Sequence, residues 1–223
     1  MSNLLQTLKQ FVSPGGIEGY FAIKYAKWAE NTEAMRDGYR KLAEKAASEL
    51  QAGKVLEIGP GPGYVSMEIA KLLPEIEVIG LDLSDAMIEI AEKNAREYGF
   101  SERVKFKKGD ASEMPFEDSS FDFAISSGSL HHWKKPTKVF DEIYRVLKPN
   151  RSALISDLRK DAPKEQIEKW EKAIDSRIMR WGLRHSFGES YTAQEVEKII
   201  NDTRFTDLEI GVEEISLKIW LGK

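Results

Sequence analysis

The sequence contains no cysteine. That absence removes disulfides, Cys-ligated zinc, iron–sulfur clusters and thiolate nucleophiles together. Histidine is scarce, with three in 223 residues, and their spacing does not place two on one turn of a helix to hold a metal. No metal is expected. Positive charge is not in excess: 33 Lys plus Arg against 37 Asp plus Glu leave a formal charge of −4. The diffuse basic footprint that dominates nucleic-acid affinity is therefore missing, and no nucleic-acid partner is expected. Long apolar runs are absent too, and the opening MSNLLQTLKQF has neither a basic n-region nor a long apolar h-region. A chain without a membrane span, in the cytoplasm, is the expectation. Nothing in the sequence specifies an oligomeric state.

What is present suffices for one core, so a single domain over 1–223 is expected. Residues 1–52 read as a helical cap: Ile17, Phe21 and Trp28 share one face, and Met35, Tyr39, Leu42, Ala46 and Leu50 recur at helix spacing. The run Ser13-Pro14-Gly15-Gly16 breaks a preceding short helix. From Lys54 the period changes. KVLEIG, EVIGLDL, RVKFKKGD, FDFAISS and SALISDL read as five strands, alternating with the helical runs VSMEIAKLL, AMIEIAEKNA and TKVFDEIYRVL. Such alternation over 53–160 predicts βαβ units and a parallel sheet.

One long charged helix is expected after Pro163, with Ile167, Trp170, Ile174, Ile178 and Trp181 as its apolar stripe. It falls where a lid over 161–191 would be inserted after strand five. Thr192 with Glu195 makes a capping box for TAQEVEKII, and TDLEIGV and EISLKIWLG close 192–223 as two strands. The fold class is thus α/β: a Rossmann-like, doubly wound, mostly parallel seven-stranded sheet.

Residues 55–66, VLEIGPGPGYVS, set a glycine-rich turn between a strand and a helix, where backbone N–H groups can approach a ligand. Counted from Gly59 the turn is G-x-G-x-G, with Tyr64 in place of the third dinucleotide glycine. Counted from Gly61, Ser66 takes the last position and a loose dinucleotide match survives. Asp82 ends the second strand about 20 residues on, placed to accept hydrogen bonds from ribose hydroxyls. Both NAD and S-adenosylmethionine satisfy these features. At the end of the third strand, Asp110 can accept from an adenine amine.

Four blocks in order, VLEIGPGPG, GLDLSDAMIEIA, GDASEMPFEDSSFDFAISSGSLHHW and EIYRVLKPN, span roughly residues 54–158. In these the chain resembles the class I S-adenosylmethionine-dependent methyltransferases, the group near the ubiquinone and menaquinone biosynthesis enzymes in particular. The resemblance implies that Gly59, Pro60, Gly61 and Gly63 cradle the methionine portion of S-adenosylmethionine, with Glu57 ordering that loop or meeting the ammonium. It further implies Asp82 on the ribose, Leu83 and Met87 about the adenine, Asp110 with Ala111 on its amine, and the Ser126-Ser127 backbone as floor. Lys148-Pro149-Asn150-Arg151 departs from the family, which places glycines after the proline; Asn tolerates a left-handed turn.

Methyl transfer needs alignment and exclusion of water more than catalytic side chains. An acceptor that loses a proton is served by a base near neutrality, and His131 and His132 follow the fourth strand at the carboxyl edge where ligands bind. They also fit a loop-capping role beside Trp133. For a small-molecule acceptor, Tyr20 and Trp28, with Tyr25, offer a dry wall. Arg180, Arg184 and His185, on a face shared with Arg177, offer charge for a carboxylate or phosphate. Glu171 and Asp175 stand near enough to neutralise those arginines instead. Two alternatives accompany methyl transfer: an S-adenosylmethionine-binding protein without catalysis, and an NAD-dependent oxidoreductase.

Overall fold

Apolar runs of period two form the sheet and amphipathic runs of period 3.6 cover it. The computed structural model describes residues 19–174 and 176–223, the side chains of Tyr20 and Ile178 excepted. The expected break at residues 13–16 and the placement of Ile17 lie outside the described residues, as does Asp175.

The strands are β1 (Gly53–Ile58), β2 (Ile76–Asp82), β3 (Val104–Lys108), β4 (Phe121–Ser127), β5 (Leu147–Leu158), β6 (Asp207–Val212) and β7 (Ser216–Gly222). They lie in the order β3-β2-β1-β4-β5-β7-β6. The first five are parallel, and β7 runs antiparallel to β5 and β6. The chain winds outward from β1 in both directions, so the switch point where ligands gather is the gap between the carboxyl ends of β1 and β4. This is the Rossmann-like, doubly wound sheet.

The helices are α1 (Gly19–Asn31), α2 (Glu33–Glu49), α3 (Tyr64–Leu72), α4 (Asp85–Glu97), α5 (Pro136–Val146), α6 (Lys164–Lys172), α7 (Arg177–Glu189) and α8 (Ala193–Asn201). A single 3-10 turn covers Leu130–His132. Alternation along each strand sends side chains to two cores. One joins Leu42 and Ala46 of α2 and Val65 and Ile69 of α3 to Val55 and Phe123. The other joins Val139 and Ile143 of α5 and Val196 and Ile200 of α8 to Leu56, Ile155 and Leu217. The capping box is present: Thr192 N–H donates to Glu195 Oε2 at 2.8 Å, and Glu195 N–H to Thr192 Oγ1 at 3.2 Å.

Two elements differ from expectation. The single helix after Pro163 is two helices, the first ending at Lys172 and the second starting at Arg177, because Ser176 Oγ accepts Met179 N–H at 3.4 Å and starts α7 afresh. Strand β5 begins at Leu147 rather than Ser152, since Leu147 already pairs with Phe121 before the register shifts. Asn150 takes a φ of 58° within it, the left-handed conformation that this departure from the family requires. Among the described residues no helix is long and apolar enough to cross a membrane.

Candidate active site

At the carboxyl edge of β1, β2 and β4 lies a cavity of about 900 Å³, of the size that holds a drug-sized ligand. The glycine turn forms one wall. Gly61 has a φ of 52°, and a Cβ there would point into open space, with only Met87 Sδ and Tyr25 Cε1 at 4.0 Å. The open side of this residue thus faces the cavity. Gly63 plays a different part: a Cβ would lie 2.7 Å from Phe106 Cζ and 3.2 Å from Ala91 Cβ. The third glycine lets the turn press against β3 and α4, and it is not on the cavity wall, so its expected place in the cradle is corrected to one of packing. Gly59 approaches the Ser129 side chain in the same manner and does line the cavity, as does Pro60.

Asp82 closes the opposite wall and also holds the turn. Its Oδ2 accepts Gly61 N–H at 3.0 Å and its Oδ1 accepts Ser84 N–H at 2.9 Å. A carboxylate in this position suits a ribose diol, since its two oxygens can each accept more than one donor. Glu57, at the end of β1, is fully buried and accepts a hydrogen bond from Ser66 Oγ. Burial pushes its carboxyl up to about 7, against the opposing pull of Ser66. Leu83 offers an exposed apolar face and Met87 a buried one, while Asp110 and Ala111 line the rim. Asp110 Oδ1 accepts Ser112 N–H at 2.8 Å, a bond that holds its carboxyl below the usual range. A diol acceptor, apolar faces and a buried carboxylate make this cavity fit an amino-acid-bearing adenosine.

The sequence model of a family described as a methyltransferase domain matches residues 49–204, well over half the chain. The chain is a class I S-adenosylmethionine-dependent methyltransferase by family. Its relatives include malonyl-[acyl-carrier protein] O-methyltransferase of Legionella pneumophila, 29% identical over 67% of this chain and 53% of that protein. Demethylmenaquinone methyltransferase of Lactobacillus johnsonii is 33% identical over 52% of this chain and 48% of that protein. The chain thus spans about half the length of the curated relatives it matches. Among solved structures, the plantazolicin methyltransferase BpumL, in complex with a triazolic desmethylPZN analog and SAH, superposes with a TM-score of 0.76 at 17% identity. The match covers 99% of this chain and 96% of that one. The oxidoreductase alternative falls with the family match.

In this methyltransferase a second cavity, of about 860 Å³, adjoins the first and shares Tyr25, Met35, Tyr39, Ser127, Gly128 and both histidines with it. His131 stands at the junction. Its backbone N–H donates to Asp157 Oδ2 at 2.9 Å, and its Nδ1 lies 2.8 Å from Asp157 Oδ1. Asp157 is an ionisable acceptor at the end of β5, so it selects the tautomer with the proton on Nδ1. Nε2 is left as an acceptor, buried and without a hydrogen-bond partner. His132 packs 3.9 Å from the His131 ring, and burial lowers its pKa to about 4. It is neutral at pH 7.

The remaining expected residues divide. Ser127 lines both cavities, whereas Ser126 is fully buried, its Oγ donating to Ile58 O at 2.9 Å. Ser126 ties β4 to β1 and is not on the floor. Trp28 lines the second cavity and His185 the first, where His185 stacks on Trp181 at 5.3 Å. Arg180 and Arg184 line neither cavity. Of the two readings given for the arginines, Arg184 takes the neutralised one: it forms a two-point ion pair with Glu171, one contact at 2.6 Å, that ties α7 to α6. The Tyr20 side chain lies outside the described residues.

Sequence reasoning missed Asp157, Ser66, Tyr39 and Lys218. Asp157 had a readable signal, since a carboxylate at the carboxyl end of a parallel strand sits at the ligand edge. Ser66 stands two residues into α3, and its value as partner to Glu57 depends on that strand's burial. Tyr39 faces Tyr25 through a hydroxyl-to-hydroxyl contact. Lys218 has no local motif.

Proposed function

We propose that this methyltransferase transfers the methyl group of S-adenosylmethionine to a small-molecule acceptor, with His131 as general base and Asp157 as its positioning residue. The observation that carries the proposal is His131 itself, which lines both cavities and whose buried Nε2 has no hydrogen-bond partner. The donor, when bound, supplies a methyl carbon on a positively charged sulfur. In the first cavity Gly59, Pro60 and Gly61 hold the methionine backbone, and Glu57 receives its ammonium. Asp82 takes the ribose hydroxyls, Leu83 and Met87 flank the adenine, and Asp110 with Ala111 reads its amine, above Ser127. In the second cavity His131 Nε2 takes the proton that the acceptor loses, and Asp157 stabilises the imidazolium that results. Tyr25, Trp28 and Tyr39 keep water out.

The chain acts in this reading as one domain, with 1–52 as cap, 53–160 as donor-binding core, 161–191 as lid and 192–223 closing the sheet. Trp170, Ile174, Met179 and Leu183 support the lid assignment, for they reach from α6, α7 and the break between them over the second cavity.

Release of S-adenosylhomocysteine across a metabolite panel tests the proposal. His131→Ala should lower turnover by about 10²- to 10⁴-fold, with donor affinity by calorimetry unchanged. Asp157→Asn should lower it less and shift the pH profile of kcat/KM. Full turnover in His131→Ala rejects the base. Donor binding with no turnover on any acceptor favours a binding protein without catalysis, and no donor binding rejects both readings.

A further inference from the structure

The second cavity has a chemistry of its own. Its floor is the sheet face carrying Leu154 and Ser156 of β5 beside Lys218 and Trp220 of β7. The alternate residues Leu217, Ile219 and Leu221 turn the other way, into the core under α5 and α8. Trp28 and Trp170 line the same space with Trp220, so indole side chains help to bound it. Aromatic walls favour a flat, ring-bearing guest.

Charged residues also line the cavity, Asp37, Lys41, Glu44 and Lys45 of α2 and Glu213 and Glu214 before β7, and Asp37 already pairs with Lys41 and Arg40. Lys218 and Trp28 add two donors beside the apolar surface. Lys218 Nζ donates to Ser156 Oγ at 2.6 Å, while exposed Glu213 is 3.5 Å away, too far for a strong bond. An ammonium has three donors, and this one is held in a largely dry site. Burial accordingly lowers its pKa, against the pull of Glu213. Trp28 Nε1 is buried and has no hydrogen-bond partner. An indole N–H can only donate, and leaving it unmade is costly. Both donors ask for oxygen on the guest. The arginines of α7 do not line this space; Lys41 and Lys45 enter it from α2, and Lys218 is the lysine on the sheet floor.

Resting on the methyl-transfer reading, we propose that the acceptor is an aromatic carboxylic acid, its ring against Trp28 and Trp220 and its carboxylate on Lys218. Trp28 Nε1 then reads a ring oxygen or the acid itself. Lys218 is a specificity-determining residue, one strand across from Ser156 and so beside Asp157 and the histidine that it orients.

The test is calorimetric titration of protein saturated with S-adenosylhomocysteine, using 1-hydroxy-2-naphthoate and 1-naphthol. The acid should bind at least tenfold more tightly than the neutral phenol. Lys218→Met should erase that preference and leave 1-naphthol affinity within twofold. Lys218→Arg should retain it in part, which covers the case in which the methionine variant does not fold. Trp220→Ala should weaken both ligands. Equal affinity for the two probes, or an undiminished preference in a folded Lys218→Met variant, overturns the proposal. Failure of S-adenosylhomocysteine to bind the unaltered protein would instead overturn the methyl-transfer reading on which it rests.

Discussion

The two cavities share a pair of histidines but are built by different means. The first cavity is made of strand ends: Glu57, Asp82, Asp110 and Ser127 all fall within two residues of where β1, β2, β3 and β4 stop. The second cavity is made of facing surfaces, a sheet floor under helices drawn from both halves of the chain. Topology alone fixes a strand end, whereas a facing surface depends on how separate elements pack. Their buried carboxylates differ accordingly. Glu57 has the Ser66 hydroxyl as partner, and burial moves its titration up to about 7. Asp157 accepts from His131 N–H, His131 Nδ1 and Leu158 N–H, contacts that fix its orientation beside the histidine.

The contrast between the carboxylates yields the largest expected effect. With a folded value of about 7 against an ordinary 4.5, Glu57 favours the fold while both states hold the proton. It costs stability as pH rises from about 4.5 through 7, up to about 3 kcal/mol in all. Glu57→Gln should flatten the chemical-denaturation stability curve over that interval. A wild-type curve already flat there would break the comparison. Asp82→Ala tests the strand-end principle directly: donor affinity should fall by about 1 to 3 kcal/mol, read by calorimetry. Unchanged affinity would move the ribose elsewhere.

The glycines sharpen it further. Gly63→Ala should lower the melting temperature, through a collision with Phe106 worth about 1 to 2 kcal/mol, with little direct effect on donor binding. Gly61→Ala should weaken donor binding more than it does stability. The reverse ranking would contradict their assignments to packing and to the cavity wall. Smallest of all, Arg184→Ala should leave turnover unchanged in the S-adenosylhomocysteine release assay, because that side chain engages Glu171 and not an acceptor.

What was legible in the sequence follows the same division. The strands, the glycine turn, Asp82 and Asp110 could be read because each is a local pattern whose position in the sheet determines its neighbours. Asp157 and His131 are 26 residues apart, and Lys218 and Ser156 are 62 apart. Those pairs exist only through sheet pairing, one between β5 and the turn after β4, the other between β5 and the antiparallel β7. The split between α6 and α7 was hidden by an apolar stripe that keeps helical period across the break. Ser176, a good N-cap, was the signal that could have exposed it. The arginine stripe was legible in part: spacing gave a common face with Glu171 in reach, but not the break that makes the Arg184–Glu171 pair a contact between two helices.

Tyr25 projects from α1 into both cavities at once. A ligand that steadies this helix over one cavity steadies it over the other, so the second guest meets a wall already ordered. Thermodynamic linkage makes such help mutual and equal in size. On the proposed reading, donor and acceptor should each raise the other's affinity across one tyrosine.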